Sequence, residues 1–389
     1  MTELSSTLLS DYSKLSEDDI VRCEMPADIA EKCLKFCQTF VGGSWNNAKS
    51  SSEITIKRIS GGLANLMVHV HLNESVAKET NFVYCKEPSD VAIKFYSEKH
   101  LNFDSTDSGR FNELNILTIT SQNGISPTIY GIASDGFVQS FYQHEQFRAK
   151  HQQDGKLLQK LAKQIARFHY LQVPINKTAN LYIKQISKMI ESAKINCPEI
   201  DLINELPLKT LKSHDLQTEF TYLMNVVEKL NSPIVFAHND FRSSNILVTD
   251  SSEVLLVDFE TNSYGPRCFD LATFFTEWGR EQLFVSTGLA LPDDDVLSIF
   301  LKLYIHEVDQ IVPGYSKDEK NSLQAHVKET KIMFLVNLLF YTAFMLQMME
   351  SLVPSVPFDG HKKMLTVELT YQLYMKIKEE LLSDGTLSK

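Results

Sequence analysis

Hydrophobic and polar positions divide the chain into two unlike parts. From Glu53 to about Tyr142 the segments EITIKRIS, NLMVHVHL, NFVYCK and DVAIKFY alternate apolar and polar residues or are rich in β-branched ones, the period-two signature of strands. One helical stretch, Arg110 to Thr120, interrupts them, and Asp135-Gly136 marks a hairpin turn. Ahead of the strands, Pro26 to Val41 has helical character and stops at Gly42-Gly43. After Lys150 the apolar spacing becomes helical, in KLLQKLAKQIARFHYLQ and in nearly everything beyond Asp293. The pattern predicts an α+β chain. A small, strand-rich N-terminal lobe with a helical leading segment covers residues 1–145, and a large, mainly helical C-terminal lobe covers 146–389, joined near Phe141–Lys150.

An island of strand interrupts the helical part. In FAHNDFRSSNILVTDSSEVLLVDFE, Phe236 to Glu260, the runs Asn245–Val248 and Val254–Val257 read as strands, and Thr249–Glu253 carries the chemistry of a turn. Antiparallel pairing about that turn sets Asn245 opposite Val257 and so brings its side chain beside Asp258. Asp240, five residues ahead of Asn245, falls near the same point.

Composition narrows the classes. With 43% hydrophobic and 22% charged residues the chain is an ordinary soluble globular protein, and 389 residues exceed one compact core. A formal net charge of −11 with no basic block argues against a nucleic-acid partner. Six cysteines without a CxxC pair argue against a zinc knuckle or disulfide framework and for reduced, buried thiols. The polar, acidic N-terminus is unlike a leader peptide, and the apolar run Met333–Leu346, 14 residues broken by Asn337 and Thr342, is too short to span a bilayer. A cytoplasmic protein without membrane insertion is expected, with that run as a buried helix.

Four further features give the cluster a purpose. Gly61-Gly62 sits between two strands, where adjacent glycines bring backbone N–H groups close to an anion. Lys94 ends the strand VAIKFY, and Glu113 on the next helix offers it an ion-pair partner. HNDFRSSN then supplies His-x-Asp-x-x-x-x-Asn, and DFE a second aspartate. Glycine turn, strand lysine, helix glutamate, catalytic loop and metal aspartate follow in the order of a kinase-like phosphotransferase. On that reading Asp240 takes the acceptor's proton, Asn245 and Asp258 are oxygen ligands suited to Mg²⁺, and His238 braces the loop.

These residues resemble the choline/ethanolamine kinase family, a branch of the two-lobed protein-kinase-like fold. The resemblance runs from about Ile59 to the C-terminal helices and is most specific in HNDFRSSNILV…LLVDFETNSYGPRCFDLATFFTEW, with GGLANLM, SPTIYGI and IARFHYLQVP as further blocks. It implies transfer of the γ-phosphoryl group of ATP, with Mg²⁺, to the hydroxyl of choline, the first step of phosphatidylcholine synthesis, or of ethanolamine or another small amino alcohol. The alternative from another class is a catalytically silent, kinase-like binding protein. By motif, Gly61, Gly62, Leu63, Ala64 and Asn65 cover phosphate, Lys94 and Glu113 serve the nucleotide, and Ser140 and Phe141 fall at the hinge that contacts adenine. Arg242 is counted with the nucleotide-binding residues. Tyr264, Glu277, Trp278, Phe340 and Phe344 are the expected amine-pocket residues, Glu277 as counter-charge. Where the family carries two tryptophans three residues apart this chain has Phe340 and Ala343, and Thr261 replaces an aromatic, which weakens a cation–π cage. A homodimer is the assembly the resemblance suggests.

Overall fold

The computed structural model describes residues 25–59, 65–76, 88–96, 109–178, 186–191, 209–279, 292–351 and 360–388. Its N-terminal region holds a five-stranded antiparallel sheet in the order β1-β2-β3-β5-β4, with β1 Ile54–Arg58, β2 Leu66–Leu72, β3 Asp90–Phe95, β4 Ile129–Ala133 and β5 Gly136–Ser140. In β2 the apolar positions Leu66, Val68, Val70 and Leu72 are buried and the residues between them less so, the alternation the sequence predicts. Helix α1, Ile29–Phe40, closes that face: its Cys33, Phe36 and Cys37 join Trp45 and the strand residues in one apolar core. Helix α2, Gly109–Gln122, follows β3. Gly136 has no alternative where β5 meets β3, because a Cβ there would lie 2.1 Å from the Lys94 carbonyl oxygen. The predicted strand NFVYCK lies outside the described residues.

Helices build the C-terminal region. Helix α3, Gly155–His169, starts where Asp154 accepts hydrogen bonds from the backbone N–H groups of Lys156 (2.9 Å) and Leu157 (3.2 Å), a side-chain cap for the helix's orphan donors. Its stripe of Leu158, Leu161, Ile165 and Phe168 faces the main core. Around it lie α4 Leu216–Leu230, α5 Cys268–Thr276, α6 Asp294–Ile311, α7 Leu323–Ser351 and α8 Gly360–Ser383. Helix α7 contains the apolar run, and the structure revises its length. Leu323–Leu346, 24 residues, is long and apolar enough to cross a membrane, yet 72% of its window is buried inside the fold. The two polar residues that break the apolar run have partners there: the Thr342 hydroxyl donates to the Leu338 carbonyl (2.8 Å) and the Thr273 hydroxyl to Asn337 Oδ1 (3.2 Å).

The predicted hairpin is present as β8 Ile246–Thr249 and β9 Val254–Leu256, with Asn245 opposite Val257 through the Val257 N–H to Asn245 carbonyl bond (3.0 Å). It is not a solitary island. The connection between the lobes contains β6, His144–Gln146, which pairs with β8, and β7 Ile234–Ala237 pairs with β10 Ser263–Pro266. These strands are three or four residues long, too short for periodicity to register. β6 ties the inter-lobe connection directly to the hairpin.

One buried charge network sets the packing below the site. Arg267, fully buried, donates through Nε (3.1 Å) and Nη2 (2.7 Å) to the two oxygens of Glu329, and through Nη1 to the Tyr315 hydroxyl (2.5 Å) and Asn321 Oδ1 (2.6 Å). Such satisfaction is what a buried guanidinium needs. His326 completes the chain: its Nδ1 can only donate to the Ser322 carbonyl (2.9 Å), so Nε2 accepts from the Tyr315 hydroxyl (3.1 Å). Burial, and then the nearby Arg267 charge, push the imidazole down to about 4 from 6.5. A depressed histidine contributes stability above its unfolded value that is lost as pH falls toward its folded value. The protein is therefore expected to lose roughly 3 kcal/mol through this group between pH 6.5 and 4, and His326→Gln to flatten that part of the curve in urea unfolding. Equal pH dependence in the two proteins would contradict it.

Candidate active site

The catalytic-loop geometry begins with Asp270 on α5, which is fully buried. Its Oδ2 accepts the backbone N–H of His238 (2.6 Å) and its Oδ1 that of Asn239 (2.7 Å). His169, the last residue of α3, donates from Nε2 to Asp270 Oδ2 (3.0 Å) and accepts at Nδ1 from the Tyr304 hydroxyl (2.8 Å). Asn239 takes a left-handed conformation, φ 62°, and its side-chain amide donates to the Thr261 carbonyl (2.8 Å) and Ser263 Oγ (2.9 Å). The His238 ring donates from Nε2 to the Val257 carbonyl (3.0 Å). Loop 238–240 is thus fastened both to α5 and to the segment carrying the second aspartate. Asp258 is itself left-handed, φ 68°, a conformation disfavoured for a non-glycine residue. Phe259, buried against His238 and Phe168, anchors the chain beneath it.

Above this framework a cavity opens between the two regions. Lys94 and Glu113 line it from the N-terminal region, Ser140 and Phe141 from the connection, Asp240, Arg242, Asn245, Asp258 and Glu260 from the C-terminal region, and Phe340, Tyr341 and Phe344 from α7. The Asn245 amide nitrogen donates to the Asp240 carbonyl (2.9 Å) and to Asp240 Oδ2 (2.7 Å), which leaves its oxygen as the ligand end. Arg242 Nε lies 3.3 Å from Asp240 Oδ2.

Electrostatics at the other wall are crowded. Lys94 Nζ lies 2.5 Å from Glu260 Oε1, 3.4 Å from Glu113 and 3.5 Å from Asp258. Burial pushes Glu113 up to about 7; Glu260 and Asp258 add to that push and Lys94 opposes it. Burial disfavours the Lys94 ammonium, but Asp258, Glu113 and Glu260 together hold its pKa well above the usual value. Three carboxylates around one ammonium are a surplus of negative charge that a divalent cation would relieve. No group of three or more His, Cys, Asp or Glu among the described residues forms a metal cage. The donor set fits Mg²⁺ of the kind held by one or two protein oxygens and completed by phosphate oxygens.

Of the nucleotide-side expectations, Gly61, Gly62, Leu63 and Ala64 lie outside the described residues. Asn65 donates from Nδ2 to Glu260 Oε1 (2.5 Å), so this one carboxylate oxygen is shared by Asn65 and Lys94. The Ser140 hydroxyl accepts from the Thr128 N–H (2.9 Å), and Phe141 stacks on His69 with centroids 3.7 Å apart.

The structure places the expected amine-pocket residues in two groups. Phe340 and Phe344 line the cavity, but Tyr264, Glu277 and Trp278 are not among its lining residues. Tyr264 lies opposite Phe236 in the β7–β10 pair and its hydroxyl donates to the Val173 carbonyl (3.3 Å). Trp278 packs on Phe274 and Phe275. Glu277 is buried and accepts from the Ser243 N–H (2.7 Å), with the Arg242 charge beside it. Ala343 is fully buried in the core. At about 100° per residue, positions 340, 341 and 344 share a helix face from which 343 is turned away. Sequence pattern does not single out Glu260, Asp270 or His169 as site residues, although the first belongs to DFE and the other two fall inside the blocks FDLATFFTEW and IARFHYLQVP.

Fold and site together define a phosphotransferase of the protein-kinase-like class. The family model described as choline/ethanolamine kinase matches residues 56–378, and the chain belongs to that family. Among relatives, a rat choline/ethanolamine kinase is 27% identical over 300 residues, 73% of this chain and 71% of its own. The matches to the mouse and human choline/ethanolamine kinases span 61% of those proteins' length. A crystal structure of choline kinase from Cryptosporidium parvum Iowa II is similar at TM-score 0.69 and 19% identity, covering 92% of this chain and 97% of that one. Amicoumacin kinase, solved in complex with AMP-PNP and Ca²⁺, is similar at TM-score 0.54 and 12% identity, covering 89% and 93%.

Asp270→Asn tests the anchoring of the loop. The new amide nitrogen faces an N–H donor, so the variant should lose roughly 1–3 kcal/mol and exchange the His238 and Asn239 amide hydrogens faster. Wild-type exchange at both would contradict the anchoring.

Proposed function

We propose that this chain transfers the γ-phosphoryl group of ATP to the hydroxyl of choline, with ethanolamine as a second acceptor. The observation that carries the reading is the meeting, in one cavity, of Asp240, Asn245 and Asp258 with Lys94 on one side and the aromatic face of α7 on the other. Asp240 Oδ2 is engaged with Asn245 and faces Arg242, which assigns the hydroxyl proton to Oδ1. Asn245 and Asp258 would hold Mg²⁺, which would supply positive charge against the phosphates. Lys94 presents its ammonium to the phosphates while Glu113 and Glu260 fix its direction, and Ser140 and Phe141 form the adenine end. His238 acts only by holding the loop. The same reading divides the lobes at 145/146 and makes the protein a cytoplasmic enzyme.

On the α7 side the cavity offers a cationic amine aromatic faces. Phe340, Tyr341 and Phe344 can surround a trimethylammonium by cation–π attraction. A primary ammonium instead has N–H donors that those faces do not satisfy. Choline should therefore be the better substrate. An ATP-consumption assay across choline, ethanolamine and their N-methylated intermediates tests the reading, and turnover of none of them would sink it. Asp240→Asn is expected to lower kcat at least about 10²-fold with ATP affinity retained; near-normal turnover would remove Asp240 from the mechanism. Phe344→Ala is expected to raise the KM for choline by about 3- to 30-fold and that for ethanolamine less; equal effects would place the amine elsewhere.

A further inference from the structure

Arg242, counted above with the nucleotide-binding residues, has no defined task in the reading so far. Among the described residues lining the cavity, it and Lys94 are the two permanent cations. They stand on opposite sides: Lys94 on β3, surrounded by three carboxylates, and Arg242 on the catalytic loop, two residues after Asp240. The guanidinium is mostly buried yet keeps hydrogen-bonding capacity in reserve. Nε lies 3.3 Å from Asp240 Oδ2 but forms no hydrogen bond, and Oε1 of the neighbouring buried Glu277 also has no partner. Asp240, Glu277, Tyr341 and Asp258 all act on its charge. A cation beside Asp240, in a cavity also lined by Asp258, is suited to meet the negative charge of a phosphoryl group in transfer. It is badly placed to receive a cationic amine.

Resting on the phosphotransferase reading above, we propose that Arg242 is a catalytic residue that donates hydrogen bonds to the phosphoryl group in transfer, and that Glu277, which accepts the N–H of the adjoining Ser243 (2.7 Å), is the positioning residue that holds this part of the loop. In the step, the bond from the acceptor oxygen to the γ-phosphorus forms as the bond from that phosphorus to the β–γ bridging oxygen breaks. The electron pair leaves with the diphosphate, and the hydroxyl proton passes to Asp240. Arg242 keeps its protons throughout and stabilises charge on the equatorial oxygens. Its planar fork suits such oxygens better than a point charge does.

The test compares Arg242→Gln and Arg242→Lys with wild type in two measurements: calorimetric Kd values for ATP and ADP, and kcat and KM with choline and ethanolamine. Arg242→Gln should lose about 10²-fold in kcat, with amine KM values and the choline-to-ethanolamine ratio unchanged. Its preference for ATP over ADP should fall by about 10-fold through weaker ATP binding. Arg242→Lys should restore part of the ATP preference but not full kcat, and it decides the matter if the glutamine variant does not fold. Glu277→Gln should reduce the ATP preference in the same direction, which a purely structural carboxylate would not do. Unchanged kcat and unchanged ATP preference in both arginine variants would overturn the proposal, as would an effect confined to amine KM. If wild type phosphorylates neither amine, the functional reading fails, while the ATP-to-ADP preference still decides the role of Arg242.

Discussion

The carboxylate of Asp270 accepts two consecutive backbone N–H groups, those of His238 and Asn239, at 2.6 and 2.7 Å inside the core. The position of the loop 238–240 hangs from that pair of bonds. They hold Asn239 in a left-handed turn, the turn presents Asp240 to the cavity, and the Asn239 side chain pins the segment after Asp258. A buried carboxylate demands partners. Here they are two backbone N–H groups of the loop and the His169 imidazole, itself fixed by Tyr304. The same bonds that remove the desolvation penalty therefore set the position of Asp240.

Charge balance explains the cavity's contents. Asp240, Asp258, Glu113 and Glu260 line it against Lys94 and Arg242, and burial makes the mismatch felt, as the raised Glu113 shows. An apolar cavity would not tolerate that excess; one that receives Mg²⁺ with a polyphosphate uses it, because the metal's charge enters with its ligand. Glu260 has a second consequence. By taking both Lys94 and Asn65 on one oxygen, it links β3 and the start of β2 to the segment that carries Asp258.

Helix α7 serves two purposes through one sequence. Its length and apolarity belong to a core helix, with Met333, Phe334 and Leu335 buried, and its last turns bring Phe340, Tyr341 and Phe344 to the cavity rim. Because the helix is fixed by its core face, the orientation of the aromatic face is decided by packing far from the acceptor. Ala343 belongs to the core for the same reason, and a larger side chain there would strain the packing rather than enlarge an aromatic cage.

Local pattern alone determined much. The alternation of β2, the stripe of α3 and the turn between β8 and β9 each rest on residues adjacent in sequence, and so the lobes, the hairpin and the Asn245–Val257 register are legible in the order of residues itself. The HNDFRSSN and DFE motifs likewise carry their chemistry in their spacing. What the sequence could not contain were relations between distant segments. The pairing of β6 with β8 and of β7 with β10 involves strands of three and four residues, below the length at which a period can be seen. The anchoring by Asp270 joins residues 31 and 32 positions apart, and Glu260 reaches Lys94 across 166. The contacts of Glu277, Tyr264 and Trp278 were likewise decided by distant partners, the Ser243 N–H for the glutamate, the Val173 carbonyl for the tyrosine, and Phe274 and Phe275 for the tryptophan. Residue type and spacing fix which chemistry a chain can perform; only tertiary packing fixes which groups face one another to perform it.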